Sequence, residues 1–345
     1  MSDNIQRLNG IDCFAFDGER TEIWHTKGNQ KQAHWTRADW DHASGHDHEV
    51  IKVPAIAAFN GELFSHFDED KRFKETEFFF LARRDNGHIF APVTKTYQVV
   101  QPKQIDDWGD DYVSRDPRFV KDAAGALGNG EKIWTTWRFN EDVTIAGDRH
   151  IPRLLGSTSY DATMASRFEA TWTRAVCENT LRGAWGSAKA VIKVTHRTTF
   201  DESRVRRELE QVVASFAEFK ALGDAMAQVA VTRDDCAAFI RNLLDIPLDM
   251  ARKDISTRKV NMSHDLEQAL GVTMRERNTR DVDAWCLLNG VTRYVDHSRT
   301  VRTDGGARDV DAARFDAGTF GSGDAMKGKA MGLLLPMLPK TLQFA

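Results

Sequence analysis

From Val50 to Val100 apolar and polar positions alternate with a period of two, through VIKVPAIAAF, ETEFFFLARR and HIFAPVTKTYQVV, which predicts β-strands. Asn86-Gly87, between the second and third runs, predicts a hairpin with a type I′ turn because both positions tolerate positive φ. These runs make a meander of three or four strands. Pro102 opens a predicted helix, PKQIDDWGDDYV, and the glycine-rich GALGNGE at 125–131 breaks to a strand, KIWTTWRF. In that strand Ile133, Thr135 and Trp137 share one face while Trp134, Thr136 and Arg138 share the other. Short strands continue over 142–160. From Ser166, Phe168, Ala170 and Trp172 alternate with Arg167, Glu169, Thr171 and Thr173. The period then changes. CENTLRGAW carries Cys177, Leu181 and Trp185 at a spacing of four and predicts a short helix, followed by a strand from Ala190 to His196.

Past Phe200 the pattern is helical. Val205, Leu209, Val212, Phe216, Phe219 and Met226 recur in steps of four and three, with Gly223 filling one step, so 201–230 reads as one long helix with an apolar stripe. Thr232 with Asp235 three residues on forms a capping pair for the next helix, DDCAAFIRNLLDI, which Pro247 ends. Further helices are predicted around Thr257–Leu270, Val282–His297 and Gly323–Leu335. The fold class expected is α+β: an antiparallel β meander with a central strand–helix–strand, followed by a largely helical C-terminal half. The chain divides into an irregular N-terminal arm (1–48), a β-rich core (49–200) and a helical region (201–345) packed on or extending from that core.

Composition narrows the class. The chain has 345 residues, 41% of them hydrophobic, ample for a sizeable core. Its longest apolar run, Met331 to Leu338, is interrupted by Pro336 and falls far below the roughly 20 residues a membrane helix needs. The first thirty residues lack both a basic start and an unbroken apolar segment, so no signal peptide is expected, and the predicted location is cytoplasmic with no membrane partner. Cys13, Cys177, Cys236 and Cys286 are widely separated and form no CxxC pair, which argues against a disulfide framework or a zinc module.

Charge is unevenly spread. Residues 1–148 carry a net −8, residues 149–207 a net +6 and residues 208–345 a net −2. The basic segment permits a local anionic partner on a mildly acidic molecule. In it Arg167, Arg174, Arg182, Lys189, Lys193, Arg197, Arg204, Arg206 and Arg207 interleave with Trp172 and Trp185. Cations for phosphates and flat rings for unstacked bases are what single-stranded nucleic acid binding uses. The competing reading makes the tryptophans core anchors and the arginines a solvated face.

Other chemistry is thinner. Asp39, Asp41, His42, His46, Asp47 and His48 include types that ligate divalent cations, with His42, His46 and His48 as the metal candidates, but no spacing there matches a ligand pattern. Gly323 to Lys329 fits GxxxxGK yet ends in Ala330 and follows no buried strand, so it reads as coincidence. The adjacent carboxylate and imidazole of Asp296 and His297 are the candidate catalytic pair, for a hydrolase. No cofactor is called for.

The runs TRAVCENTLRGAW, TYQVVQPKQIDDW and AWCLLNGVTRYVDHSRTVR, with TFGSGDAMKGKAMGLL, resemble the phage/plasmid-like family catalogued as domain of unknown function 932. The matching positions are Val176, Cys177, Asn179, Thr180 and Leu181, and then Leu287 through His297, within a resemblance over about residues 75–335. The resemblance implies a protein of mobile elements and suggests a distant relation to single-strand-annealing recombinases, which are non-enzymatic and work as rings or filaments on single-stranded DNA. The expected function is therefore non-catalytic binding of single-stranded DNA by a homo-oligomer, with strand annealing as its use. A metal-dependent hydrolase and a structural protein oligomerising through the 201–230 stripe are the alternatives.

Overall fold

The computed structural model describes residues 7–8, 11–17, 28–58, 73–174, 180–182, 191–194, 202–301 and 310–339. Strands β1 (Phe14–Phe16) and β2 (Asn29–Gln30) precede helix α1 (Arg37–Ser44). Next come β3 (Val50–Ala58), β4 (Phe73–Arg83), β5 (Ile89–Thr94) and helix α2 (Pro102–Val113). The middle of the chain gives β6 (Phe119–Leu127), β7 (Lys132–Phe139), β8 (Val143–Ile145), β9 (Asp148–Ser159), β10 (Ser166–Arg174), β11 (Thr180–Arg182) and β12 (Val191–Val194). Six helices follow: α3 (Glu202–Met226), α4 (Arg233–Leu243), α5 (Thr257–Glu276), α6 (Ala284–Arg293), α7 (Val310–Phe320) and α8 (Ser322–Leu334). The α+β class read from the sequence holds.

Nine strands form one large sheet, ordered β11-β10-β9-β7-β6-β1-β2, with β8 paired to β9 and β12 to β10. Its core-facing side carries Trp137, Leu154, Phe168, Ala170 and Trp172, which pack with Phe216, Phe219 and Trp285 of the helices. The stripe of α3 is therefore core: Val212, Phe216, Phe219 and Met226 are buried within this chain rather than free for a second copy. A separate three-stranded sheet, β3-β4-β5, is the meander expected from the sequence, and it packs Val50, Leu81 and Val93 against Cys13, Ala126 and Ile133 of the large sheet.

Three local expectations are corrected. Thr180–Arg182 is a strand hydrogen-bonded beside Thr171–Thr173, not part of a helix. A spacing of four is even, so it marks one face of a strand as well as of a helix, and the free edge of β10 decides between them. The motif residues Val176, Cys177 and Asn179 lie outside the described residues. At the β4–β5 turn only Gly87 has positive φ, at 73°, so the turn is not type I′. Asn86 instead accepts from the His88 N–H through its side chain, at 2.9 Å, in a longer loop. Finally, the expected irregular arm contributes β1 to the sheet and contains α1. Cys13, Phe14, Ala15 and Phe16 are all buried, and a short strand covered on both faces shows no alternation to read. For α1 the signal was present: Thr36 and Asp39 form a reciprocal capping box, and Gly45 ends the helix at φ 77°.

Candidate nucleic-acid interface

Strand β10 divides its side chains between two faces. On the core side Trp172 stacks on Phe219, with ring centroids 5.3 Å apart and planes at 20°, and meets Phe216 edge-on at 5.0 Å. Trp172 is thus a core anchor. The other face holds Arg167, Glu169 and Thr171, and register extends it into rows across the sheet. One row runs Val120, Arg138, Arg153, Thr171, Arg182. The next runs Ala123, Thr136, Leu155, Glu169, Val191, and a third Gly125, Trp134, Ser157, Arg167, Lys193. Helix α7 covers one end of this face, where Phe315 and Phe320 pack with Phe14, Phe16, Trp134 and Leu155.

Arg138 beside Arg153, and Arg167 beside Lys193, place like charges directly opposite on neighbouring strands, which costs stability unless anions offset it. Asp122 supplies part of the offset: its Oδ2 accepts from Arg153 Nε at 2.6 Å, with both side chains buried. A bulge between Lys121 and Ala123 accompanies this placement of Asp122. Arg167 lies 3.3 Å from the buried Glu169 carboxylate and its guanidinium sits 5.5 Å over the Phe320 ring. Two features stay unbalanced. Arg153 Nη1 is buried with no hydrogen-bond partner, although the residue is only 6% exposed. Among the described residues neither Arg138 nor the exposed Lys193 pairs its side chain with any partner.

Of the cations nominated from the sequence, the structure brings Arg167 and Lys193 into this face and leaves Arg207 exposed on α3. Lys189 and Arg197 lie outside the described residues, and for Arg174, Arg182, Arg204 and Arg206 only the backbone is described. Arg138 and Arg153 were missed. Alternation in KIWTTWRF already set Arg138 opposite the core, but only cross-strand register, which one sequence does not contain, puts it beside Arg153.

The N-terminal histidines do not converge. His42 Nδ1 meets Asp47 at 2.7 Å on the surface, His46 bridges Asp106 and the Gly125 carbonyl at 3.2 Å each, and His48 Nδ1 meets the Gly45 carbonyl at 2.9 Å. No group of three or more metal-ligating side chains occurs among the described residues. Asp106 is fully buried. Burial alone would raise its pKa, but His46 and Lys121 beside it, with hydrogen bonds from His46 and Thr135, hold it well below the ordinary aspartate range.

Asp296 and His297 fall in a π-helical turn, Tyr294–Ser298, that continues α6. The Asp296 carboxylate is 2.5 Å from the ammonium of Lys327, which is 1% exposed, so it serves a buried ion pair at the α6–α8 contact. Helix α8 also disposes of the GxxxxGK match, because Gly323 to Lys329 lies within it without a break and so forms no phosphate loop. No helix among the described residues is long and apolar enough to cross a membrane.

The fold and this face define an α+β protein whose large, mostly antiparallel sheet is helix-packed on one side and carries, on the other, a row of cations beside helix α7. Residues 90–317 match the family model described as Domain of unknown function (DUF932), and the chain belongs to that family. No curated protein and no solved structure matches it.

Proposed function

We propose that this protein binds single-stranded nucleic acid without catalysis, the phosphates meeting the cation-lined face of the large sheet. The observation that carries this reading is the row Arg138, Arg153, Thr171 and Arg182, flanked by Arg167 and Lys193. A folded chain tolerates adjacent like charges poorly, and an anionic ligand relieves them. Arg138 and Lys193 stand on β7 and β12, three strand spacings across the sheet and four residues along it, about 20 Å apart, so a bound strand has an unpaired cation on either side of the buried arginines. The use of that binding, strand annealing by a homo-oligomer in phage or plasmid DNA processing, is supported by the motif resemblance of the central and α6 segments.

Anisotropy of a labelled single-stranded DNA at two salt concentrations tests it. Binding should weaken as salt rises, and the Arg138→Ala/Lys193→Ala variant should bind less at low salt with a slope of log K against log salt shallower by about 1.4, two contacts at about 0.7 each. Absence of binding at low salt, or binding indifferent to salt, would sink the reading.

A further inference from the structure

The β3–β4–β5 sheet has a second face on which several large apolar side chains are exposed. Register places Val53, Phe80 and Pro92 in one row, Ile51, Ala82 and Ile89 in the next, and Phe78 beside Thr94. Its large apolar side chains are open to solvent: Phe78 is 57% exposed, Ile89 59% and Val53 39%. Isolated exposed apolar residues are ordinary, but several on one sheet face mark a contact surface. Charge on this face leaves one cation over. At one end Arg84 and Glu49 pair with each other at 2.6 Å, and at the other Lys74, opposite Ala57, has no carboxylate beside it on the face, because Glu75 and Glu77 belong to the opposite parity of β4.

We propose that this face is a base-stacking platform for single-stranded nucleic acid, with Phe78 and Phe80 taking successive bases and Lys74 a phosphate. The inference rests on the reading above that the chain binds such a strand, and adds a second contact to it. Rings two residues apart on one strand are about 6.8 Å apart. Bases within a duplex strand rise only about 3.4 Å, so the platform suits an extended strand and rejects a stacked duplex. A second copy docking by the same face would bring two Lys74 ammoniums to an apolar contact whose one carboxylate, Glu49, is already held by Arg84, which is costly. A polyanion has the complementary charge. Because β3–β4–β5 packs on the core side of the large sheet, the platform and the cation-lined face lie on opposite sides of it and contribute separately.

Stacking and ion pairing differ in their response to salt, and that difference is the test. The probe is a labelled oligothymidylate long enough to wrap the protein, titrated across salt with wild type, Phe78→Ala, Phe78→Tyr and Arg138→Ala/Lys193→Ala. Phe78→Ala should weaken binding roughly ten- to a hundredfold with the salt slope unchanged, and Phe78→Tyr should restore it. An unchanged urea midpoint would show that the fold is intact, as expected for so exposed a ring. If Phe78→Ala binds like wild type while the double variant binds less, the platform is overturned and the cation-lined face stands. If wild type itself does not bind, both fall. A drop in solution mass for Phe78→Ala with no loss of affinity would mean that the face holds a second copy, and would also overturn the proposal.

Discussion

Asp106 Oδ2 lies 3.2 Å from His46 Nδ1, and both side chains are wholly buried between α2 and the large sheet. Both His46 nitrogens lie 3.2 Å from an oxygen, Nδ1 from Asp106 and Nε2 from the Gly125 carbonyl. Lys121 at 3.3 Å, Arg37 at 3.7 Å and the Thr135 hydroxyl, donating at 2.5 Å, also surround Asp106. Asp106→Asn keeps the shape and removes the charge, leaving His46 and Lys121 facing a neutral amide. It should cost about 3–5 kcal/mol in urea unfolding. The acid limb should change too. The folded pKa is depressed, so the stability it confers is complete above the ordinary aspartate range and declines as pH falls from about 4 toward the lower folded value. The variant should show a shallower decline below about pH 4; an identical slope would show that Asp106 does not govern it.

His48 gives a second acid response at higher pH. Burial, and then the charge of Arg83, push its pKa from 6.5 down to about 4. Its Nδ1 reaches the Gly45 carbonyl while Nε2 is buried without a partner. Between pH 6.5 and about 4 the unfolded chain binds a proton that folded His48 refuses, so stability falls with pH across that window. The full loss is about 3 kcal/mol. His48→Asn, which keeps a donor near Nδ1, should flatten the urea midpoint between pH 6.5 and 4. A decline as steep as in wild type would assign it elsewhere.

How much of this was legible depended on whether two periods could be told apart. The helix Pro102–Val113 and the strand Lys132–Phe139 fall at their predicted positions, because a proline start and a clean alternation each fit one conformation. The long α3 stripe was equally clear, yet its partner was not: whether Phe216 and Phe219 meet another copy or Trp172 of the same chain is decided by tertiary packing. The helix expected around Thr180–Arg182 gave way to a strand because four-residue spacing serves both periods. The site was legible as a basic stretch but not as a face, since Arg138 and Arg153 come from strands outside the motif and meet only through register. The exposed Phe78 read as one more member of the apolar run ETEFFFLARR.

Gly109 and Gly332 offer a matched pair. Both lie inside helices, where alanine is favoured over glycine by up to about 1 kcal/mol. A Cβ on Gly109 would sit 2.1 Å from Cη2 and Cζ2 of Trp137, whose indole is fully buried and pinned by donation to Asp110 at 2.8 Å. Nothing lies within 4 Å of a Cβ on Gly332. Overpacking therefore outweighs propensity at the first site, and Gly109→Ala should lose about 2 kcal/mol. Gly332→Ala should gain about 0.5–1 kcal/mol. Thermal unfolding of the two variants checks the opposite signs, and a stabilised Gly109→Ala would contradict the packing of α2 on Trp137.

Asp122 is the residue at which stability and the proposed binding pull in opposite directions. Its carboxylate holds Arg153 Nε at 2.6 Å, so Asp122→Asn leaves a buried guanidinium without its counterion and should cost about 3–5 kcal/mol. The same change removes a negative charge from the face that carries Arg138, Arg153 and Lys193. A bound phosphate can then serve as the missing counterion. Affinity for single-stranded DNA at low salt should rise, and the slope of log K against log salt should steepen by about 0.7, one additional phosphate contact. Urea unfolding and anisotropy on the same preparation check both halves, at a temperature where the variant remains folded. Weaker binding by a folded Asp122→Asn would place the nucleic acid away from Arg153, because a phosphate near that arginine gains when its competitor is removed.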